Sequence, residues 1–141
     1  MAFLKTHYYG GIRKYQWTTI PLALHGVIVK SDNTVVNVCI GEDDADPIFY
    51  INDLLPHLAA EQMEQKLSKA FTGEDLNVLA GSIPSDSEKD KYKENVMKLL
   101  EEKYGICEED FISAELELVP NFKARNLGLD SSMIAAYGHD D

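Results

Sequence analysis

PLALHGVIVKSDNTVVNVCI, residues 21–40, is the stretch whose reading decides the fold. Val27, Ile28 and Val29 form one β-branched run, and Val35, Val36 and Ile40 belong to a second. Such side chains lose rotamer freedom in a helix and sit well on a pleated surface. Ser31, Asp32 and Asn33 separate the runs. Asp and Asn hydrogen-bond their own backbone and tolerate left-handed geometry, so the two runs are expected to fold as a β-hairpin. His25 follows an apolar run and precedes Gly26, a setting that suggests a loop tip more than a core.

Downstream, residues 41–47 read as a turn carrying Glu42, Asp43, Asp44 and Asp46. The spacing lacks the central glycine and terminal glutamate of a calcium-binding EF-hand loop, so a solvated acidic loop is expected. Residues 48–51 read as extended. A helix is expected over residues 53–71, capped by Asn52 or Asp53, with Pro56 in its opening turn. Leu54, Leu58, Leu67, Ala70 and Phe71 would form its apolar stripe, with Met63 nearby, and Gly73 would end it.

A second helix is expected over residues 88–104, introduced by Ser87 and Asp90 at the spacing of a capping box. Tyr92, Val96, Leu99 and Lys103 would share one face, with Leu100 beside it, and Gly105 is a suitable stop. Residues 111–119 alternate: Ile112, Ala114, Leu116 and Leu118 against Ser113, Glu115 and Glu117, the pattern of a half-solvated strand. Residues 126–138 are small and apolar, then the chain stops at His139-Asp140-Asp141, an ending that suggests an incomplete sequence. At the other end, Tyr8, Tyr9, Tyr15 and Trp17 surround Gly10-Gly11, where the glycines suggest a bend and the rings suit core or interface packing.

The chain has 141 residues and a formal charge of -11, from 13 basic and 24 acidic residues. One domain fits that length. An acidic surface repels phosphate backbones and anionic lipids, which argues against nucleic acid and membrane partners. No run approaches the roughly 18 apolar residues of a membrane span, and residues 1–9 lack a signal-peptide core. Cys39 and Cys107 form no CxxC pair and suggest buried thiols in a reducing, cytoplasmic setting.

Four histidines, His7, His25, His57 and His139, bear the imidazole that suits proton transfer, hydrogen bonding or metal ligation. For His25 those roles stand beside a purely structural one. His139, Asp140 and Asp141 bring zinc-type ligands together, but adjacent residues rarely point at one ion, and a solvated tail is the simpler reading. There is no GxSxG elbow, HExxH, phosphate loop or dinucleotide fingerprint. The residues by themselves thus define an acidic α+β domain suited to interaction or accessory work.

Longer stretches carry a resemblance. YYGGIRKYQW (residues 8–17), PLALHGV (21–27), DLLPHLA (53–59), GEDLNVLAGSIP (73–84), EKYGICEEDFISAELELVP (102–120) and ARNLGLDSSMIAAYGHDD (124–141) resemble, in collinear order, the central part of M18 metallo-aminopeptidases of the aspartyl aminopeptidase and vacuolar aminopeptidase I type. That resemblance implies an α+β fold, a β-barrel-like lid and dimerisation domain with two main helices. It implies that residues 1–126 are this inserted domain and residues 127–141 the start of the return into a catalytic domain.

The resemblance also implies a parent enzyme with two zinc ions that removes N-terminal residues from peptides. Asp140 would be the metal-bridging carboxylate, and His25 a catalytic residue reaching a neighbouring subunit's site, there to hydrogen-bond substrate or a developing oxyanion. Self-association is implied as well, as a dimer of this piece and a dodecamer of the parent, with the aromatic N-terminal region or a sheet edge as the expected contact. The other zinc ligands and the glutamate base have no counterpart here, so the isolated chain is expected to be inactive and to bind no zinc tightly. The alternative is a free-standing oligomerisation or protein-binding domain.

Overall fold

A computed structural model describes residues 1–137. The strands are β1 (Ala2–Leu4), β2 (Leu22–Val29), β3 (Val35–Ile40), β4 (Val78–Gly81), β5 (Ala114–Pro120), β6 (Arg125–Leu127) and β7 (Met133–Ala135). The α-helices are α1 (Ala60–Met63), α2 (Leu67–Ala70) and α3 (Lys91–Tyr104), with 3-10 turns at Lys14–Trp17, Glu74–Leu76 and Glu108–Ser113.

The hairpin forms as its residues dictate. Asn33 takes a left-handed φ of 66°, Asp32 Oδ1 accepts from the Thr34 N–H, and Val29 pairs with Val35. β2 is the centre of a three-stranded antiparallel sheet ordered β3-β2-β5. Because side chains alternate along a strand, the register sorts the sheet into two faces. Leu24, Ile28, Val38 and Ile40 are buried on one face with Ile106, covered by Leu100 and Tyr104 of α3 and by Phe111. The other face carries His25, Val27 and Val29 of β2 beside Val35, Asn37 and Cys39 of β3 and Glu115 and Glu117 of β5.

A second core gathers Leu22, Ile51, Leu76 and Val78, with Leu4, Ile12, Trp17 and Ile20 packed against it. Single bridges from Leu22 to Phe49 and from Tyr50 to Leu79 step from the large sheet to the β1-β4 pair. β6 and β7 form a third, separate pair.

The expected β-barrel-like closure is therefore corrected: the described strands make open sheets. The outer edge of β3 shows why. Its Cys39 N–H and C=O are both engaged by the Tyr104 hydroxyl of α3, so a side chain stands where a closing strand would pair.

The expectation of two main helices is corrected as well. Only α3 is long, starting at Lys91 rather than residue 88. Ser87 caps nothing, donating instead to the Lys89 carbonyl, while Gly105, at φ 65°, stops the helix as expected. Its inward face is Tyr92, Val96, Leu100 and Tyr104; Leu99 is 56% exposed. Residues 53–71 hold two single-turn helices, α1 and α2, divided by Lys66 in an extended conformation. Short helices are marginal unless a packed face stabilises them. Here Leu54, Leu58, Met63 and Leu67 remain exposed, so nothing in the chain drives one continuous helix.

The alternating segment is a strand, with Ala114, Leu116 and Leu118 inward as read. It begins later than expected, because residues 111–113 belong to a 3-10 turn that leaves Ile112 91% exposed. Both cysteines are exposed, which overturns the buried role.

Candidate functional site on the solvated sheet face

β2 places His25 in mid-strand on the solvated face of the large sheet, not at a loop tip. Its neighbours across the ladder are Cys39 on β3 and Glu117 on β5. The side chain is 37% exposed, so the ring is steadied on the sheet yet reachable. Next to it in the chain, Gly26 lets β5 approach closely. A Cβ there would lie 2.0 Å from the Glu115 carbonyl oxygen, and φ is +148°.

The turn that follows β3 supplies the partner of His25. Glu42 Oε1 lies 2.9 Å from His25 Nε2. Glu42 stands where it does because Gly41 is fixed before it. Gly41 is buried at φ +109°, close against Ala23. Its N–H donates to Asp46 Oδ2 at 3.1 Å, and the Asn121 side-chain amide donates to its carbonyl. Asp46 in turn meets Lys103 Nζ at 2.9 Å, and Asp44 meets Lys123 Nζ at 2.9 Å.

The acidic run is the solvated turn expected, with residues 42–45 exposed, and it is pinned as well. The Lys103 ammonium and the Gly41 N–H hold the Asp46 carboxyl below its ordinary value. Lys123 does the same for Asp44. Glu42 is the site residue that composition concealed among four carboxylates. Strand register alone would put residue 42 on the buried face of Ile40, and it is the turn at Gly41, at φ +109°, that brings Glu42 round to the ring.

The other chemistry-bearing residues do not join this site. His7 and His57 are exposed elsewhere. Cys107 opens the 3-10 turn before β5, its N–H donating to Asp110 Oδ2 at 2.8 Å. The carboxylates of Glu109 and Asp110 push its thiol up, which disfavours the nucleophilic thiolate. Asp140, expected to ligate metal, lies outside the described residues, as do His139 and Asp141. Among the described residues no group of three or more His, Cys, Asp or Glu could hold a metal ion. These residues do not fit a zinc pair. No helix among them is long and apolar enough to cross a membrane.

The described residues thus make an open α+β domain with one reachable histidine on its sheet and no metal cluster of their own. The model of the aminopeptidase I zinc metalloprotease family, M18, matches residues 1–141, and the chain belongs to that family. It is 64% identical over 143 residues to a probable M18 family aminopeptidase 1 of Clostridium acetobutylicum, covering 100% of this chain and 31% of that protein. A probable M18 family aminopeptidase 1 of Thermotoga maritima is 54% identical over 142 residues, again with 100% and 31% covered. Among solved structures, the M18-family aminopeptidase of Thermotoga maritima superposes with a TM-score of 0.93 at 54% identity, over 99% of this chain and 31% of that one. Aminopeptidase I of Borrelia burgdorferi superposes with a TM-score of 0.80 at 40% identity, over 99% and 30%. The chain thus spans about a third of the length of these relatives.

Proposed function

We propose that this chain works as part of a zinc-dependent aminopeptidase that hydrolyses N-terminal residues from peptides, and that it supplies the lid and oligomerisation surface. Residues 1–126 form the inserted domain and residues 127–141 begin the return to the catalytic domain. The full protein holds two zinc ions, with Asp140 among their ligands, and assembles as a higher oligomer, a dodecamer built on dimers of this segment. The family match along the whole chain carries this reading.

Within it, His25 is the residue of this segment that meets substrate, in the site of a neighbouring subunit. Its place in mid-strand on an open face, reachable from outside the sheet, supports that role. A ring held there can hydrogen-bond the substrate or the oxyanion that develops at its scissile carbonyl. The chain alone is then not a peptidase.

The test uses the full-length enzyme. H25A should lower kcat about a hundredfold, the usual loss on removing one oxyanion donor, with little change in stability. H25A and D140A subunits mixed into hybrid assemblies should recover part of the activity, because an intact His25 and an intact Asp140 then meet at one site. Hybrids verified by mass that recover nothing would defeat the cross-subunit role.

A further inference from the structure

We propose that Glu42 is a positioning residue for His25: it holds Nε2 of the ring and so presents Nδ1 as the nitrogen that meets substrate. This rests on the reading of His25 given above. The contact is 2.9 Å between His25 Nε2 and Glu42 Oε1. An ionised carboxylate only accepts hydrogen bonds, so Nε2 must carry the hydrogen. A neutral imidazole with its hydrogen on Nε2 leaves Nδ1 as an acceptor; a protonated ring leaves Nδ1 as a donor, with Glu42 balancing its charge. In both states the working nitrogen is the same one.

The arrangement is built rather than incidental. His25 sits on the central strand, anchored by ladders on both sides. Glu42 directly follows Gly41, whose φ of +109° and close approach to Ala23 admit no side chain without strain. Gly41 is bonded through its N–H to Asp46 and through its carbonyl to Asn121. Asp46 is tied to Lys103 of α3. The carboxylate that orients the ring is therefore referenced to the sheet, to α3 and to the segment after β5. Glu117 is directly across the ladder from His25 on β5, with Glu115 on the same face, but the hydrogen bond goes to Glu42.

Two measurements test this. The first reads the tautomer of His25 in the 141-residue chain by long-range proton–nitrogen NMR, with the ring neutral. The native ring should carry its hydrogen on Nε2, and E42A should give a mixture of tautomers. E42Q, which keeps the shape but can donate as well as accept, should fall between. An E42A ring that keeps the native tautomer overturns the proposal.

The second reads kinetics in the full-length enzyme. E42A should lower kcat about tenfold or more, as misorienting a reacting group does, with KM little changed and the assembly intact. E42Q should lose less. Unchanged kcat in E42A, while H25A is crippled, overturns the positioning role. If H25A itself leaves kcat unchanged, the catalytic reading of His25 fails, and the tautomer measurement still decides whether Glu42 governs the ring.

Discussion

The Tyr104 hydroxyl is bonded twice to the backbone of Cys39: it donates to the carbonyl at 2.8 Å and accepts from the N–H at 3.3 Å. A residue at the last turn of α3 thereby closes part of the free edge of β3, and its ring packs against the core of the large sheet. Tyr104→Phe removes both bonds and keeps the ring. Cys39 is exposed, so water replaces the hydroxyl and the loss should be about 1 kcal/mol. Tyr104→Ala also empties the ring's place, and should cost about 3 kcal/mol. Urea denaturation of the two variants separates the terms. A Tyr104→Phe chain as stable as the native one would mean that the hydrogen bonds contribute nothing measurable, and equal losses in the two variants would mean that the ring contributes nothing.

Two glycines should respond very differently to alanine. Gly26→Ala sets a Cβ 2.0 Å from the Glu115 carbonyl oxygen and 2.8 Å from the Leu116 Cα, both backbone atoms of β5. Relief requires β2 and β5 to separate, at a cost of about 3 kcal/mol. Gly11 has nothing within 4 Å of its added Cβ and no positive φ, so Gly11→Ala should stay within about 0.5 kcal/mol of the native chain. Thermal melts of both proteins check this, and a Gly26→Ala chain as stable as the native one would refute the close approach.

Acid should weaken the fold through identifiable carboxylates. Lys103 and the Gly41 N–H hold Asp46 below its ordinary 3.8, and the Cys107 N–H holds Asp110 below the same value. In each case the folded state favours ionisation relative to the unfolded chain. The stabilisation is complete above the unfolded value of about 4 and is lost as pH falls through the lowered folded value. Stability should therefore be level near neutrality and decline below about pH 4. D46N and D110N should each make that decline shallower, measured as denaturation midpoints against pH. A decline as steep in both variants as in the native chain would place the acid sensitivity elsewhere.

Both thiols should titrate with Ellman's reagent in the folded chain without denaturant, since Cys39 and Cys107 are exposed. Cys107 should react more slowly than free cysteine at the same pH, because Glu109 and Asp110 push its thiol up. E109Q should speed it. A C39S chain, with Cys107 alone, isolates the rate. A Cys107 faster than free cysteine would contradict the electrostatic assignment.

What was legible in the sequence follows from where local chemistry decides. The hairpin was legible because Asp32 and Asn33 set its turn and the β-branched runs set its strands. The inward side of β5 was legible because Ala114, Leu116 and Leu118 alternate with Glu115 and Glu117. The open sheets were not, since closure turns on whether a strand or the Tyr104 hydroxyl meets the edge of β3, and no local pattern shows that. The fate of residues 53–71 was hidden for a related reason: a leucine stripe predicts a helix only if something covers it. In the site, His25 was legible as a residue but misplaced at a loop tip, because Gly26 reads as a bend when in fact it admits β5. Glu42 was lost in a run of like charges, and only the turn that Gly41 makes against Ala23 distinguishes it from Asp43.

That leucine stripe carries the last prediction. Leu54, Leu55, Leu58, Met63 and Leu67 are 53%, 60%, 64%, 70% and 54% exposed. Burying a large apolar side chain contributes about 1.5–3 kcal/mol, so several together can support association if a partner surface matches. The aromatic cluster offers less: Tyr15 and Trp17 are half-buried in the chain's own fold, and only Tyr8 and Tyr9 are exposed. On the proposed oligomerisation role, the 141-residue chain should dimerise through residues 54–67. The formal charge of -11 opposes that step. Salt shortens the screening length from about 10 Å at 0.1 M to about 3 Å at 1 M, so the dimer should tighten as salt is raised. L58E combined with L67E should be monomeric at every salt concentration with an unchanged circular dichroism spectrum, while Tyr9→Ser should still dimerise. Sedimentation equilibrium reads all three. A dimer that weakens with salt would mean an ionic contact, and one that survives both leucine changes but not Tyr9→Ser would move the interface to the aromatic N-terminal region.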